Sequence, residues 1–544
     1  MDLPHLPFRH RGGTRSQAQA AAPDMVLTDE QLAAAAATGR STVVNACPGA
    51  GARVTIAEYV SRNEDAIVLE QDGQSRAAMA AMLLHRGIAG SAMNTFPVHT
   101  FHSWAYRYMI ALDSRYGNVE QHLRPWDLMF RYNVTDRIAG LACRALARFF
   151  VSSEPGITVG MFAPADAVDV FAFQRAGHDE VERAMSLARQ AWQDMKEGRL
   201  AFSLDGLFKL YVEIPDQPSH PKLPFAHIVI NGAHEMTGAM LKLLKSQRHA
   251  TQFFVGDKHR SIVGYHGNVG ALDQLAEASD TFDLTQSFTR SQSVVEVASA
   301  VLNGLMDAYV QMTSRHLQSD AETSNGAIAY LARGNGALLE KAVELEGEGI
   351  YWLNHTGYVE AVQSLLDVYY LGASDRAAMK SQFYRSFESL DLLEQYANAS
   401  GDLEAGSLVK LVRLHGSEVP AIAGRIRSNA IAEVHDPAMR HVFSTVHQAR
   451  AQQWNVVELA DDFQTCREAA AEIQAGGEPE VQEIRLLYVA ATRARRALRI
   501  NADLRDWLDD KASQAGLANR LGAPVVTGRA SRLAAATSQA FNNT

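Results

Sequence analysis

The chain has 544 residues, 47% hydrophobic and 21% charged, a composition that excludes an intrinsically disordered protein and leaves room for several domains. Lys and Arg number 51 against 61 Asp and Glu, a formal charge of −10, which excludes a uniformly basic nucleic-acid binder but not a local basic channel. Cys47, Cys143 and Cys466 lie far apart, which excludes a disulfide framework or a CxxC zinc site and suits a reducing, cytoplasmic compartment, and no apolar run reaches the ~18 residues of a membrane span.

Residues 1–25 hold Arg9, Arg11 and Arg15 but no apolar segment, so they read as a flexible tail and not as a secretory signal. Order begins at Thr28, whose spacing to Gln31 is that of a capping box in front of an alanine-rich helix. A buried-type strand follows at 41–46. It runs into the glycine-rich turn Cys47-Pro48-Gly49-Ala50-Gly51-Ala52-Arg53-Val54-Thr55 and an amphipathic segment at 56–62. Strand, glycine loop and helix in that order open a phosphate-binding α/β domain. A second strand at 66–70 and a helix at 75–85 come next. Residues 105–215 are mostly helical, as at 134–150 and 179–196, and read as an insertion. Strand character returns at 225–230 and 251–255, each followed by a polar turn with glycine. Further strands are expected at 282–284, 327–331, 350–353 and 456–458, and helices at 293–306, 358–370 and 484–494. Residues 355–437 are helical and polar, a second insertion. The pattern is two α/β cores, each with a mostly helical insertion, and no repeat of fixed period.

Taken in order, these segments resemble superfamily 1 DNA helicases of the UvrD/Rep type, and among them the F-box DNA helicase branch. The resemblance rests on Leu27-Thr28-Asp29-Glu30-Gln31; the loop at 47–55; Thr100-Phe101-His102-Ser103-Trp104-Ala105-Tyr106; the strand and turn at 225–235; Val255-Gly256-Asp257 with Tyr265-His266-Gly267; Leu284-Thr285-Gln286-Ser287-Phe288; Thr445-Val446-His447; and Leu486-Leu487-Tyr488-Val489-Ala490-Ala491-Thr492-Arg493-Ala494-Arg495. It implies two RecA-like parallel-sheet cores of the P-loop NTPase fold. The first would comprise 26–105 with 222–280 around an insertion at 106–221. The second would comprise 281–354 with 438–505 around an insertion at 355–437, and 506–544 would be a tail.

The resemblance also locates losses. A phosphate loop needs a lysine for the β/γ charge and a hydroxyl for magnesium. Here those positions are Ala52 and Arg53, although Gly49 and Gly51 keep the turn. After the strand at 225–230 the family carries an aspartate for the metal and a glutamate for the attacking water; this chain has Asn231 and Gly232. A neutral amide is a poor Mg²⁺ ligand and glycine offers no base. Arg260 replaces a glutamine, His266 an arginine, and Thr289 a γ-phosphate-contacting arginine, with Arg290 adjacent. Arg450-Ala451-Gln452-Gln453 stands where the family has Lys-Gly-Leu-Glu. Gln31 keeps the adenine-reading position and Arg493 the final phosphate-sensing one, so the nucleotide remnants are Gln31, Gly49, Gly51, Arg53, Asp257, Arg290, Gln453 and Arg493. A capping box explains Gln31 equally well, and an ion pair explains Arg493. One lost transition-state contact typically costs ~2.7–4 kcal/mol of barrier. Losing lysine, metal carboxylate and base together leaves negligible turnover, even without additivity.

The expectation is therefore a pseudo-helicase with no intact catalytic set, no resident metal and no cofactor. Its remaining property would be single-stranded DNA binding, or regulation of a protein partner in DNA processing. The resemblance points to Thr100, Phe101, His102, Trp104, Tyr265, Thr445 and His447 as the DNA-contacting set. Core packing explains Phe101 and Trp104 as well as stacking does, and His447 suits an interior histidine equally. Two other readings stay open. One is an active ATP- and Mg²⁺-dependent 3′–5′ helicase using Arg53 and Glu235 as substitutes. The other is an interaction scaffold that binds neither ligand.

Overall fold

The computed structural model describes residues 26–521 except 64, 89–97, 121–122, 163–177, 216–221, 263–266, 268, 307, 309, 316–326, 401, 434–435, 451, 464 and 476–479. The expected tail at 1–25, most of the C-terminal tail, Tyr265 and His266 lie outside the described residues. The chain divides into two compact units after Leu284.

In the first unit, α1 (Asp29–Ala35) is closed at its start by the expected capping box. Gln31 N donates to Thr28 Oγ1, and Thr28 N donates back to Gln31 Oε1. Then follow β1 (Ser41–Ala46), α2 (Ala52–Arg62), β2 (Ala66–Glu70), α3 (Gly73–His85), β3 (Val98–Thr100) and α4 (Phe101–Leu112). The insertion holds β4 (Val119–Glu120), α5 (Pro125–Tyr132), α6 (Asp136–Val151), α7 (His178–Lys196), β5 (Phe202–Ser203) and α8 (Leu204–Glu213). The chain returns through β6 (His227–Asn231), α9 (Gly238–Ser246), β7 (Thr251–Gly256), α10 (Ala271–Ala276) and β8 (Asp280–Leu284).

Six strands form one parallel sheet in the order β3-β2-β6-β7-β1-β8. Their near-continuous apolar runs suit a sheet covered on both faces. On one face Ile56, Tyr59 and Val60 of α2 and Met79 and Leu83 of α3 pack on Val44, Val68, Val229 and Phe253. On the other, Ile67, Leu69, Ile228 and Ile230 share a core with Phe101 and Trp104 of α4 and with Phe149, Trp192 and Leu207 of the insertion. The insertion is therefore continuous with the sheet's own core. Buried Lys209 of α8 fastens its middle, donating to the Ser152 and Glu154 carbonyls at 2.8 and 2.6 Å.

The second unit has a parallel sheet of five strands in the order β12-β13-β11-β14-β15. These are β11 (Ile328–Ala332), β12 (Ile350–Trp352), β13 (His441–Thr445), β14 (Trp454–Leu459) and β15 (Ala494–Arg499). A short pair, β9 (Gln286–Ser287) and β10 (Thr313–Ser314), precedes it. Rings of Tyr330, Phe443 and Trp352 meet across three strands, and Tyr358 stacks on Trp352 at 4.7 Å. Helices fill most of the expected insertion, among them His355–Gly372, Leu390–Ser400, Leu403–His415 and Val419–Asn429.

Two boundaries differ from the sequence reading. The strand placed at the start of the second core, from 281, is β8, and it pairs along β1 from Thr42–Asp280 to Ala46–Leu284. It closes the edge that β1 would otherwise expose. The tail expected from 506 begins instead as a helix, Ala502–Leu521, because Leu504 and Trp507 are buried; Trp507 lies against Gly304 so closely that a Cβ there would stand 2.8 Å from its ring. Among the described residues no helix is long and apolar enough to cross a membrane.

Candidate nucleotide and nucleic-acid site

In open parallel α/β sheets ligands bind beyond the carboxyl ends of the strands. At that edge of the first sheet, β1 ends in the glycine loop. Gly49 and Gly51 have φ of 85° and 80°, a left-handed backbone that glycine adopts without strain. Gly51 then caps α2: Val54 N and Thr55 N donate to its carbonyl at 2.8 and 3.0 Å. The helix thus begins at Ala52, four residues before the amphipathic segment read from the sequence. Ala52 is half-buried and Arg53 is exposed.

Gln31 is drawn into this loop. Its Oε1 belongs to the capping box, and its Nε2 donates to the Ala50 carbonyl at 2.9 Å. The contact is close enough that a Cβ on Gly51 would lie 2.4 Å from Nε2. Both ends of the buried amide are engaged with protein, one with the helix start and one with the loop.

β6 and β2 are neighbours, so Asn231 and Glu70 emerge side by side. Asn231 Nδ2 donates to Glu70 Oε1 and Oε2 at 2.9 and 3.0 Å. Glu70 is buried, and burial pushes its carboxyl up to about 7, against the opposing pull of the Asn231 bond and the Arg53 charge. Gly232 has φ 72°, and Gln71 Nε2 donates to its carbonyl at 3.1 Å. A Cβ at Gly232 would stand 3.0 Å from Gln71 Cγ, so the position expected to carry a base is a backbone turn under a neighbouring side chain. Glu235 sits at the end of the following short turn, 3.8 Å from His234 Nε2. Asp257 is buried and caps its own turn, accepting from His259 N at 3.0 Å, and Arg260 ends that turn half-buried.

The corresponding positions of the second unit point inward. Arg290 is buried; its Nε donates to the Thr492 carbonyl at 2.8 Å, and its Nη1 to Thr289 Oγ1 at 2.7 Å and Gln453 Oε1 at 3.2 Å. Gln453 Oε1 also accepts from Arg495 Nε at 3.2 Å. Arg493, equally buried, donates to the carbonyls of Val489, Arg450 and Gln452 and to Thr492 Oγ1, at 2.7–3.3 Å. In these bonds the Arg493 guanidinium gathers backbone carbonyls.

The nucleic-acid positions divide. Thr100 caps α4, with Ser103 N donating to its Oγ1 at 3.0 Å. Phe101 and Trp104, named in the DNA-contacting set with core packing an equal alternative, are core residues. Phe101 meets Phe208 edge-on, and Trp104 Nε1 donates to the Lys222 carbonyl at 3.0 Å. They occupy the first turn of a helix that must seal the sheet face, which leaves their rings no path to solvent. His102, between them, is half-buried beside Phe208 and pairs with Asp205 at 2.7 Å. Thr445 stands half-buried at the N-cap position of a short helix in the second unit, with no capping bond from its side chain, and His447 is exposed there, so the interior reading of His447 is set aside. Tyr265 lies outside the described residues.

Sequence reasoning missed Glu70. The signal was available: a carboxylate closing the otherwise apolar Ala-Ile-Val-Leu run of a fully buried strand stands at the edge where parallel sheets place functional groups. Asn45 was missed too; it links Asp283 and the Lys258 backbone N–H at 3.1 Å each.

Two parallel sheets, the first with a strand between the one feeding the glycine loop and the one bearing the second loop, make this an α/β protein of the RecA-like P-loop class. At its glycine-loop edge Ala52 and Arg53 follow Gly51, and the Asn231 amide is bonded to Glu70. No protein-family model matches the chain. It is 26% identical over 350 residues to F-box DNA helicase 1 of Gallus gallus, covering 59% of this chain and 33% of that protein. It is 23% identical over 301 residues to F-box DNA helicase protein 1 of Schizosaccharomyces pombe, covering 51% and 34% respectively. The chain is related to DNA helicases, and it spans about a third of the length of the curated relatives it matches.

Proposed function

We propose that this chain is a UvrD-like helicase-fold protein that has given up ATP hydrolysis and keeps an affinity for single-stranded DNA, through which it serves a DNA-processing partner. The observation that carries the first half is the Asn231–Glu70 pair. A metal-binding aspartate at 231 would place a second carboxylate against a buried one, which like-charge repulsion opposes. Ala52, the engaged Gln31 amide, and the inward Arg290 and Arg493 support the same reading. The DNA half is supported by the helicase relatives and by the exposed His447.

The test is a titration of the purified chain with a fluorescent ATP analogue and Mg²⁺, and with labelled oligo-dT at several salt concentrations. The expected result is no nucleotide binding and a salt-dependent affinity for the oligonucleotide. DNA-stimulated phosphate release would overturn the first half and favour the active helicase. No oligonucleotide binding at low salt would overturn the second and favour the scaffold. The repair variant Ala52→Lys with Arg53→Thr is expected to stay inactive in phosphate release, since metal and water remain unheld at Asn231 and Gly232.

A further inference from the structure

We infer that Lys209 and Lys242 form a proton-linked clamp that seats the first unit's insertion on its core at residues 152–154. The clamp is independent of the proposed DNA binding. α6 ends at Val151, and the next three backbone carbonyls all accept from lysines. Lys209 Nζ, on α8 of the insertion, donates to Ser152 and Glu154 at 2.8 and 2.6 Å; Lys242 Nζ, on α9 of the core, donates to Ser153 at 3.1 Å. One short segment is thus gripped from both sides. The fit leaves little room: a Cβ on Gly238, the first residue of α9, would stand 2.9 Å from Ser153 N and 3.4 Å from Val151 O.

The two ammoniums differ in their surroundings. Lys242 is half-buried, and Lys209 has no exposed surface. The Lys209 ammonium lies over the Phe149 ring at 4.4 Å, and Glu213 Oε1 stands 3.8 Å away, beyond hydrogen-bond distance. Two neutral carbonyls and a ring therefore take the place of water around a full charge. The charged groups facing it are Glu213 on its own helix and Glu154 on the segment, which favour the ammonium, and Lys242 on α9, which opposes it; Lys196 on α7 acts on Glu213. Burial outweighs them and lowers Lys209 from 10.5 to about 8. When residues 152–154 lift away, Lys209 meets water and regains its ordinary proton affinity. Between pH 8 and 10.5 the seated form has shed a proton that the lifted form keeps, so seating is strongest above pH 10.5 and weakens as pH falls through 8. The neutral amine still has two N–H donors, one for each carbonyl.

The experiment is hydrogen exchange by mass spectrometry on the full chain, following the amides of residues 149–154 at about pH 7, 8 and 9 after correction for the intrinsic exchange rate. In the parent, protection is expected to rise about 10-fold from about pH 7 to 9. In Lys209→Met the profile should be flat, because an apolar side chain of similar length carries no proton. Lys242→Ala keeps the buried lysine, so it should lose protection yet retain a rise, moved to higher pH once the like charge is gone. Urea midpoints show whether each variant is folded. A flat profile in the parent, or an equal rise in Lys209→Met, would overturn the clamp. If Lys209→Met does not fold, the Lys242→Ala profile decides: a rise at the parent's pH overturns the clamp, and a shifted rise supports it.

Discussion

Asn231 and Glu70, 161 residues apart in the chain, meet at the ends of adjacent parallel strands, where the amide bridges both carboxylate oxygens. The pair is interdependent. A buried carboxylate needs a donor, and a donor at the end of β6 cannot also be the anionic metal ligand of a nucleotide site. The glutamate at 70 and the asparagine at 231 therefore make one structural unit.

Changing Asn231 to Asp alone is expected to destabilise the first unit by about 2–3 kcal/mol at pH 8, since it removes the donor and adds a like charge. The loss should shrink at acid pH, where the two carboxyls share a proton. Glu70→Gln combined with Asn231→Asp reverses the bond and should recover most of the stability. Urea midpoints at two pH values decide this; additive losses in the double variant would contradict it.

The pH dependence has a definite sign. The Glu70 carboxyl is raised from 4.5 to about 7 by burial in the fold. Between those values the native state holds a proton that the unfolded chain releases, so stability is full below pH 4.5 and falls as pH rises through 7. The loss is bounded at about 3 kcal/mol. In Glu70→Gln this segment of the stability profile should be flat. In Arg53→Ala the fall should extend to higher pH, because Arg53 favours the charged form.

Phe101 and Trp104 should behave as core residues. Truncating either to Ala is expected to cost about 3–5 kcal/mol of stability. The folded fraction of each variant should keep its oligonucleotide affinity. His102→Ala gives the contrast: its pairing with Asp205 is partly exposed, so stability should change by less than about 1 kcal/mol. Chemical denaturation alongside anisotropy separates the two outcomes.

Arg493 is expected to be structural. Arg493→Ala takes the guanidinium from the Arg450 and Gln452 carbonyls and from the Val489 carbonyl, which keeps the Thr492 hydroxyl, and should cost about 1–3 kcal/mol in the second unit. Arg493→Lys should recover little, because one ammonium cannot span acceptors that the planar fork reaches together. A variant as stable as the parent would show that these bonds are dispensable.

Much of the fold could be read directly. The apolar strand runs, the Thr28 capping box and the glycines at 49 and 51 are local signals, and local physics determines them: backbone sterics for the glycines, a three-residue hydrogen-bond loop for the cap, two-sided burial for the strands. That alanine stands at 52, asparagine at 231 and glycine at 232 is likewise a matter of residue identity. Packing alone decided the rest. Whether Phe101 and Trp104 face bases or core depends on which side of α4 lies on the sheet. Whether Arg290 and Arg493 reach out or in depends on carbonyls contributed by residues far along the chain. β8 joined the first sheet because β1 had an edge to cover, and Glu70 acquired its proton affinity from burial in the fold. Side-chain type is written in the sequence; burial and partnership arise only when distant segments come together, and at this sheet edge they set the chemistry.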